Sequence, residues 1–140
     1  MNSNTRLAEG FKEAWASPEV KKLVDLLHSN CSLHIPGNRP CNGKEESSHE
    51  FEKLLKWLPG FCGTVKDYNC VDNIIFIEWV MHFPFKTKTL NVKALDKILA
   101  SDGLIKERIV YFDSAKVFRY ILVHPSEWYS YYRYQKNTKR

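Results

Sequence analysis

Residues 73–113 read NIIFIEWVMHFPFKTKTLNVKALDKILASDGLIKERIVYFD. Apolar side chains recur here every second position, the repeat of a pleated strand with one buried face. Ile75, Ile77, Trp79, Met81 and Phe83 share one parity and are all apolar, while Phe76, Glu78, Val80 and His82 share the other. The pattern resumes at Leu90, Val92, Ala94, Asp96, Ile98 and Ala100, where Asp96 is the polar exception. Ser101-Asp102-Gly103 has the composition of a hairpin turn. Beyond it Arg108, Val110 and Phe112 alternate with Glu107, Ile109 and Tyr111. Three long strands in a meander with one apolar face need a cover.

The preceding residues supply helices for that cover. Leu7, Phe11 and Trp15 are spaced by four and form one stripe, with Asn4 or Thr5 placed to cap the helix. Ser17-Pro18-Glu19 predicts a restart, and a second helix running to about Ser29 would bury Val20, Leu23, Val24 and Leu27. Cys31–Ile35 reads as a short strand and residues 36–40 as a loop. A third helix opens at Asn42 or Gly43, turns Phe51, Leu54, Leu55 and Leu58 inward with Trp57 at its edge, and stops at Pro59-Gly60. Gly63–Val71 reads as a fourth long strand, turning at Asp72-Asn73. After the meander, Ser114–Leu122 predicts a short helix with Asp113 as its cap. Pro125 starts another, aromatic-rich one through Tyr134.

A length of 140 residues suits a single α+β domain with a real core. The sequence divides into a body, residues 1–122, and an aromatic, basic extension, residues 123–140. Four of the 21 basic residues, Arg133, Lys136, Lys139 and Arg140, lie in the last eight positions, leaving 17 against 16 acids elsewhere. The basic excess is a tail rather than a face, which argues against nucleic acid as a partner. No apolar run is long enough to span a bilayer and residues 1–10 lack a secretory apolar core, so cytoplasmic residence is the expectation. Cys31, Cys41, Cys62 and Cys70 form no C-x-x-C pair, and no two histidines have ligand spacing. The expectation is free thiols, mostly buried, with no metal site and no cofactor.

Element order, together with Ile35-Pro36-Gly37, Gly43, Glu78-Trp79, Leu95-Asp96 and the run from Asp102-Gly103 to Asp113, resembles the nuclear transport factor 2-like superfamily. Within it the SnoaL-like and ketosteroid isomerase-like branch is the most similar, over roughly residues 5–113. The resemblance implies a cone-shaped fold, a curved mixed sheet wrapped around three N-terminal helices. It also implies a deep apolar pocket and a homodimer through the outer sheet face. Ketosteroid isomerase uses a general-base aspartate, an oxyanion-hole tyrosine and a protonated aspartic acid. Here the tyrosine position falls on Phe11, the general base on Ile35 and the second acid on Asp96. Two of the three functional groups are missing, so that chemistry is not expected. The acid of the epoxide hydrolase branch falls on Val110, and its Arg-x-Asp pair near Trp79 and Met81.

The candidate site therefore rests on Asp96 and Arg108, whose parities place both inside. A buried carboxylate must be protonated or paired, and Arg108 on the neighbouring strand is the expected partner. Phe11, Trp15, Ile35, Trp57, Trp79, Met81, Phe83, Val110 and Phe112 are the expected pocket walls; the bland alternative is a solid core. His34 and His82 read as surface or interface residues, and His28, His49 and His124 receive no role. The expected function is binding of a small apolar molecule. The alternatives are an isomerase, cyclase or lyase type of enzyme using Asp96 on an apolar cyclic or lipid-like substrate, with Arg108 as stabiliser, and a protein-interaction module. The extension is expected to pack on the domain or close the pocket mouth, with contact to a membrane surface as its secondary reading.

Overall fold

In the computed structural model, residues 2–136 are described; Lys139 and Arg140 of the basic tail lie outside them. Helix α1 (Ser3–Ala16) buries Leu7, Ala8, Phe11, Ala14 and Trp15 on the predicted stripe. Its cap is Asn2, whose side chain accepts from the Thr5 N–H at 2.8 Å. Asn4, expected as a cap, instead donates through Nδ2 to the Asp72 carbonyl at 2.7 Å and ties the helix start to a distant turn.

The second helix departs most from expectation. Helix α2 covers only Val20–Val24, and strand β1 occupies Leu27–His34. Its N-cap is Glu19, with no side-chain cap bond, and Ser17 closes α1 instead. The reason is tertiary. Leu27 pairs with Ile105, and Ser32, Leu33 and His34 pair in parallel with Glu107, Arg108 and Ile109. Sheet pairing of Leu27 overrides a helical pattern that Val20 and Val24, both β-branched, support weakly. A two-residue strand β2 (Cys41–Asn42), not expected from sequence, pairs with β1 and leads into helix α3 (Gly43–Trp57).

Strands β3 (Cys62–Val71), β4 (Ile74–Pro84), β5 (Thr89–Ser101) and β6 (Leu104–Phe112) form the meander. Asp102 and Gly103 both adopt positive φ, 56° and 74°, the geometry of the tight hairpin that Asp-Gly favours. The order β2-β1-β6-β5-β4-β3 gives a six-stranded mixed sheet, parallel at β1/β6 and antiparallel elsewhere. All five apolar residues of the Ile75 parity and all six of the Leu90 parity, Asp96 included, are buried. Register shifts fall at Leu27/Ser32, Val65/Asp67 and Leu99/Ala100 and leave the Asp96 and Arg108 parities intact.

Trp79 is fully buried, its ring edge-on to Phe11 and tilted against Trp15. It reaches this depth because Gly63, diagonal to it on β3, has no side chain. A Cβ built there would lie 2.2 Å from the ring.

Helix α4 (Ser114–Leu122) is capped by Asp113, whose side chain accepts from the Lys116 N–H at 3.1 Å. A 3-10 turn at Pro125–Glu127 then leads into helix α5 (Trp128–Lys136). Helix α5 packs on α3: Tyr134 stacks on Trp57 with ring centres 4.4 Å apart, and Tyr131 lies 5.5 Å from the same ring. None of the four cysteines is in a disulfide; Cys31 and Cys41 are buried and the other two half-buried.

Candidate functional site

Between the sheet, α3, α4 and α5 lies a cavity of about 410 Å³. The sheet contributes Met81, Phe83, Arg108, Val110 and Phe112, and α1 contributes Trp15. Ile35 and the Pro36-Gly37-Asn38 loop form the β1 side. Glu50, Phe51, Leu54 and Trp57 form the α3 side. Helices α4 and α5 close it with Val117, Phe118, Tyr131, Tyr134 and Gln135.

Of the walls expected from sequence, Trp15, Ile35, Trp57, Met81, Phe83, Val110 and Phe112 line this space. Phe11 and Trp79 do not; they lie behind it, each with its ring against the Arg108 guanidinium, 5.3 and 5.9 Å from ring centre to Cζ. Trp15 stands 5.2 Å from the same atom. Three aromatic rings thus surround one cation, an arrangement favourable to a desolvated guanidinium.

Asp96 and Arg108 meet as their parities predict. Arg108 donates from Nε to Asp96 Oδ2, and Trp79 donates from Nε1 to Asp96 Oδ1 at 2.8 Å. Asp96 is 0% exposed and Arg108 4%. Burial pushes the Asp96 carboxyl above the ordinary carboxylate range. The Arg108 charge and the hydrogen bonds from Arg108 and Trp79 act in the opposite direction. The two residues differ in placement. Arg108 reaches the cavity wall, whereas Asp96 sits beneath it with both oxygens engaged. Among the described residues Asp96 alone accepts a hydrogen bond from Arg108, so the terminal guanidinium nitrogens remain as donors.

A second polar group on the wall escaped the sequence reading. Glu50 on α3 is 4% exposed and forms an ion pair with Lys53 at 2.8 Å. It also accepts from Asn38 Nδ2 at 2.6 Å and from the Tyr134 hydroxyl at 3.5 Å. Lys53 lies over the Tyr134 ring, 4.8 Å from its centre. Burial raises the Tyr134 hydroxyl well above its usual value, with the Glu50 charge adding to the effect, so the phenol keeps its proton. Trp57 completes the region; its indole N–H is buried with no acceptor among the described residues.

The histidines lie elsewhere. His34 faces Glu107 at the surface, and His82 bonds Thr64 and Asn91 on the outer side of the sheet. Among the described residues no group of three or more His, Cys, Asp or Glu side chains is placed to hold a metal ion. No helix among them is long and apolar enough to cross a membrane.

By sequence, no family model and no curated protein matches the chain. Solved structures do. A nuclear transport factor 2-like protein of unknown function from Burkholderia pseudomallei superposes with a TM-score of 0.77 at 12% identity, covering 85% of this chain and 97% of that one. A putative SnoaL-like polyketide cyclase from Jannaschia superposes at 0.71 and 12% identity, covering 83% and 89%. A Catenulispora acidiphila protein with a ketosteroid isomerase-like fold, in complex with trimethylamine, gives 0.71 at 14% identity, covering 76% and 85%. The curled six-stranded sheet, the helices it encloses and these superpositions together identify the fold: the chain is a cone-shaped α+β domain of the nuclear transport factor 2-like type.

Proposed function

We propose that this protein binds a small, largely apolar molecule carrying a carboxylate, carbonyl or enolate oxygen, held at Arg108. The carrying observation is the guanidinium itself. It is 4% exposed, reaches an otherwise largely apolar wall, and keeps terminal donors beyond its bond to Asp96. A charge-assisted hydrogen bond in such surroundings is stronger than a neutral one. The cavity volume suits a molecule of one to three rings. A neighbour of the same fold, TerC, was co-crystallised with polyporic acid.

The test compares aromatic carboxylates with their neutral amides by thermal shift and calorimetry. Carboxylates are expected to stabilise the protein and amides much less. Loss of one charged hydrogen bond in Arg108→Met should weaken carboxylate binding by about 1.5–3 kcal/mol, roughly ten- to a hundredfold. Equal binding by the variant would overturn the assignment.

One observation favours a second reading, an enzyme. Glu50 shares the cavity wall with Arg108, and a carboxylate beside an electrostatic stabiliser is the minimum for proton transfer. In that reading Glu50, rather than the deeper Asp96, transfers the proton. Glu50→Gln should then abolish turnover of a bound ligand while its affinity stays within a few fold; unchanged turnover would remove Glu50 from the chemistry.

We further propose a homodimer through the outer sheet face, where Val71, Leu95, Leu99 and Tyr111 are 41–52% exposed. Leu95 and Tyr111 are direct cross-strand partners, so part of this patch is contiguous. Light scattering is expected to give about twice the 16.4 kDa chain mass. Leu95→Lys should yield a monomer.

A further inference from the structure

From Ser114 to Lys136 the chain exposes six large apolar residues: Phe118, Leu122, Val123, Trp128, Tyr129 and Tyr132, each at least half exposed. This is a denser run than the domain needs for its own packing, since Val117, Tyr120 and Ile121 already cover the inward side of α4. The helical repeat sorts the outward side clearly. Phe118 and Leu122 are four apart on α4 with Arg119 between them. Tyr129, Tyr132, Arg133 and Lys136 share the solvent side of α5, opposite the Tyr131 and Tyr134 rings that pack on Trp57. Trp128 joins the two helices. Its indole N–H donates to the Ile121 and Leu122 carbonyls at 2.8 and 3.2 Å, which sets the ring beside the exposed end of α4.

The exposed charges in this segment have one sign. Lys116, Arg119, Arg133 and Lys136 are exposed. The single acid between residues 114 and 136, Glu127, is 2% exposed and accepts from the Thr87 N–H and hydroxyl at 3.1 and 3.3 Å. Its charge is therefore turned into the domain and away from the surface. Aromatic side chains with polar tips, aliphatics and cations on the outward sides of two short helices, with no exposed acid between residues 114 and 136, match the boundary between acyl chains and anionic headgroups. A protein partner would have to be both strongly acidic and apolar, whereas a bilayer bearing anionic lipid offers both properties at once.

We propose that α4 and α5 form a docking surface for an anionic lipid bilayer. Phe118 belongs to this surface and to the cavity wall, as does neighbouring Ala115 at the same helix, so the docked face adjoins the cavity. Binding is peripheral: α4 and α5 are nine residues each and cannot span the bilayer.

The test is co-sedimentation of the full chain with phosphatidylcholine vesicles, with and without about a quarter phosphatidylserine, across a salt series. Binding is expected to be on the order of tenfold tighter or more with phosphatidylserine, and to weaken as salt rises. Arg119→Glu/Lys136→Glu should remove the phosphatidylserine preference. Lys12→Glu/Lys44→Glu, an equal charge change on exposed positions of α1 and α3, should leave it in place. Tyr129→Ser/Tyr132→Ser should weaken vesicle binding on the order of tenfold without lowering the melting temperature, because both rings are exposed. No vesicle binding, or binding that follows net charge equally in both charge variants, overturns the proposal. So does a Tyr129/Tyr132 variant that binds vesicles normally but changes oligomeric state, which would assign the surface to a second copy.

Discussion

Asp96→Asn is expected to cost about 3–5 kcal/mol of folding stability, measured by urea denaturation. Asparagine nearly preserves the shape and can still accept from Trp79. It removes the negative charge that compensates Arg108, which is 4% exposed. An uncompensated buried guanidinium is the expensive outcome. The double variant Asp96→Leu/Arg108→Met removes both charges and replaces them with apolar atoms. It is expected to recover most of the loss, so the two effects should be strongly non-additive. The same variant separates structure from binding. If Arg108 holds the ligand, the double variant folds but binds aromatic carboxylates about tenfold or more weakly. If the pair serves stability alone, it folds and binds unchanged. An Asp96→Asn variant within about 1 kcal/mol of wild type would show that the pair is not the buried ionic centre described.

Gly63→Ala is the second large effect, at a position outside the cavity lining. The added methyl meets the Trp79 ring at 2.2 Å, against a ring with no exposed surface and neighbours on the other side. Overpacking of this kind costs about 1–3 kcal/mol, and more where neither partner can yield. The displacement also acts on chemistry. Trp79 supplies one of the two side-chain hydrogen bonds to Asp96, so a shifted ring loosens the carboxylate that orients Arg108. Near-UV circular dichroism should therefore change together with stability, and carboxylate affinity should fall. Wild-type values for all three would mean that strands β3 and β4 accommodate the methyl elsewhere.

The sheet was legible because a two-residue repeat reports which side of a strand is buried wherever one side is apolar. Asp96 stood out for the same reason: a lone carboxylate in such a repeat must find a partner, and the next strand offered Arg108. Depth was less accessible. Parity places Trp79 and Met81 on the same face, but only the helix above them decides that Trp79 packs on Phe11 while Met81 reaches the cavity. Residues 25–29 misled because a short apolar helical pattern and the first turn of a strand look alike until Leu27 meets Ile105. Glu50 was missed for a related reason. On α3 it sits among Glu45, Glu46, Glu52, Lys53 and Lys56, a composition that reads as a solvated side. It is buried because Tyr134, from the far end of the chain, lies over Lys53 and Glu50. No local periodicity carries that information.

The parallel pairing of β1 with β6 sets an order of events in folding. The hairpins β3–β4, β4–β5 and β5–β6 close over short loops and can form quickly, whereas β1 must find β6 across most of the chain. Leu33 pairs directly with Arg108, so the strand carrying the anchor gains its second neighbour only when this slow closure occurs. During synthesis β1 has only the two-residue β2 beside it until β6, about 70 residues further on, has been made. An intermediate holding only the meander would leave one edge of β6 open, with Arg108 partnered to Asp96 but not yet roofed by α1 and α3. Ligand-binding competence should therefore appear in the last kinetic phase of refolding, after most strand signal has formed.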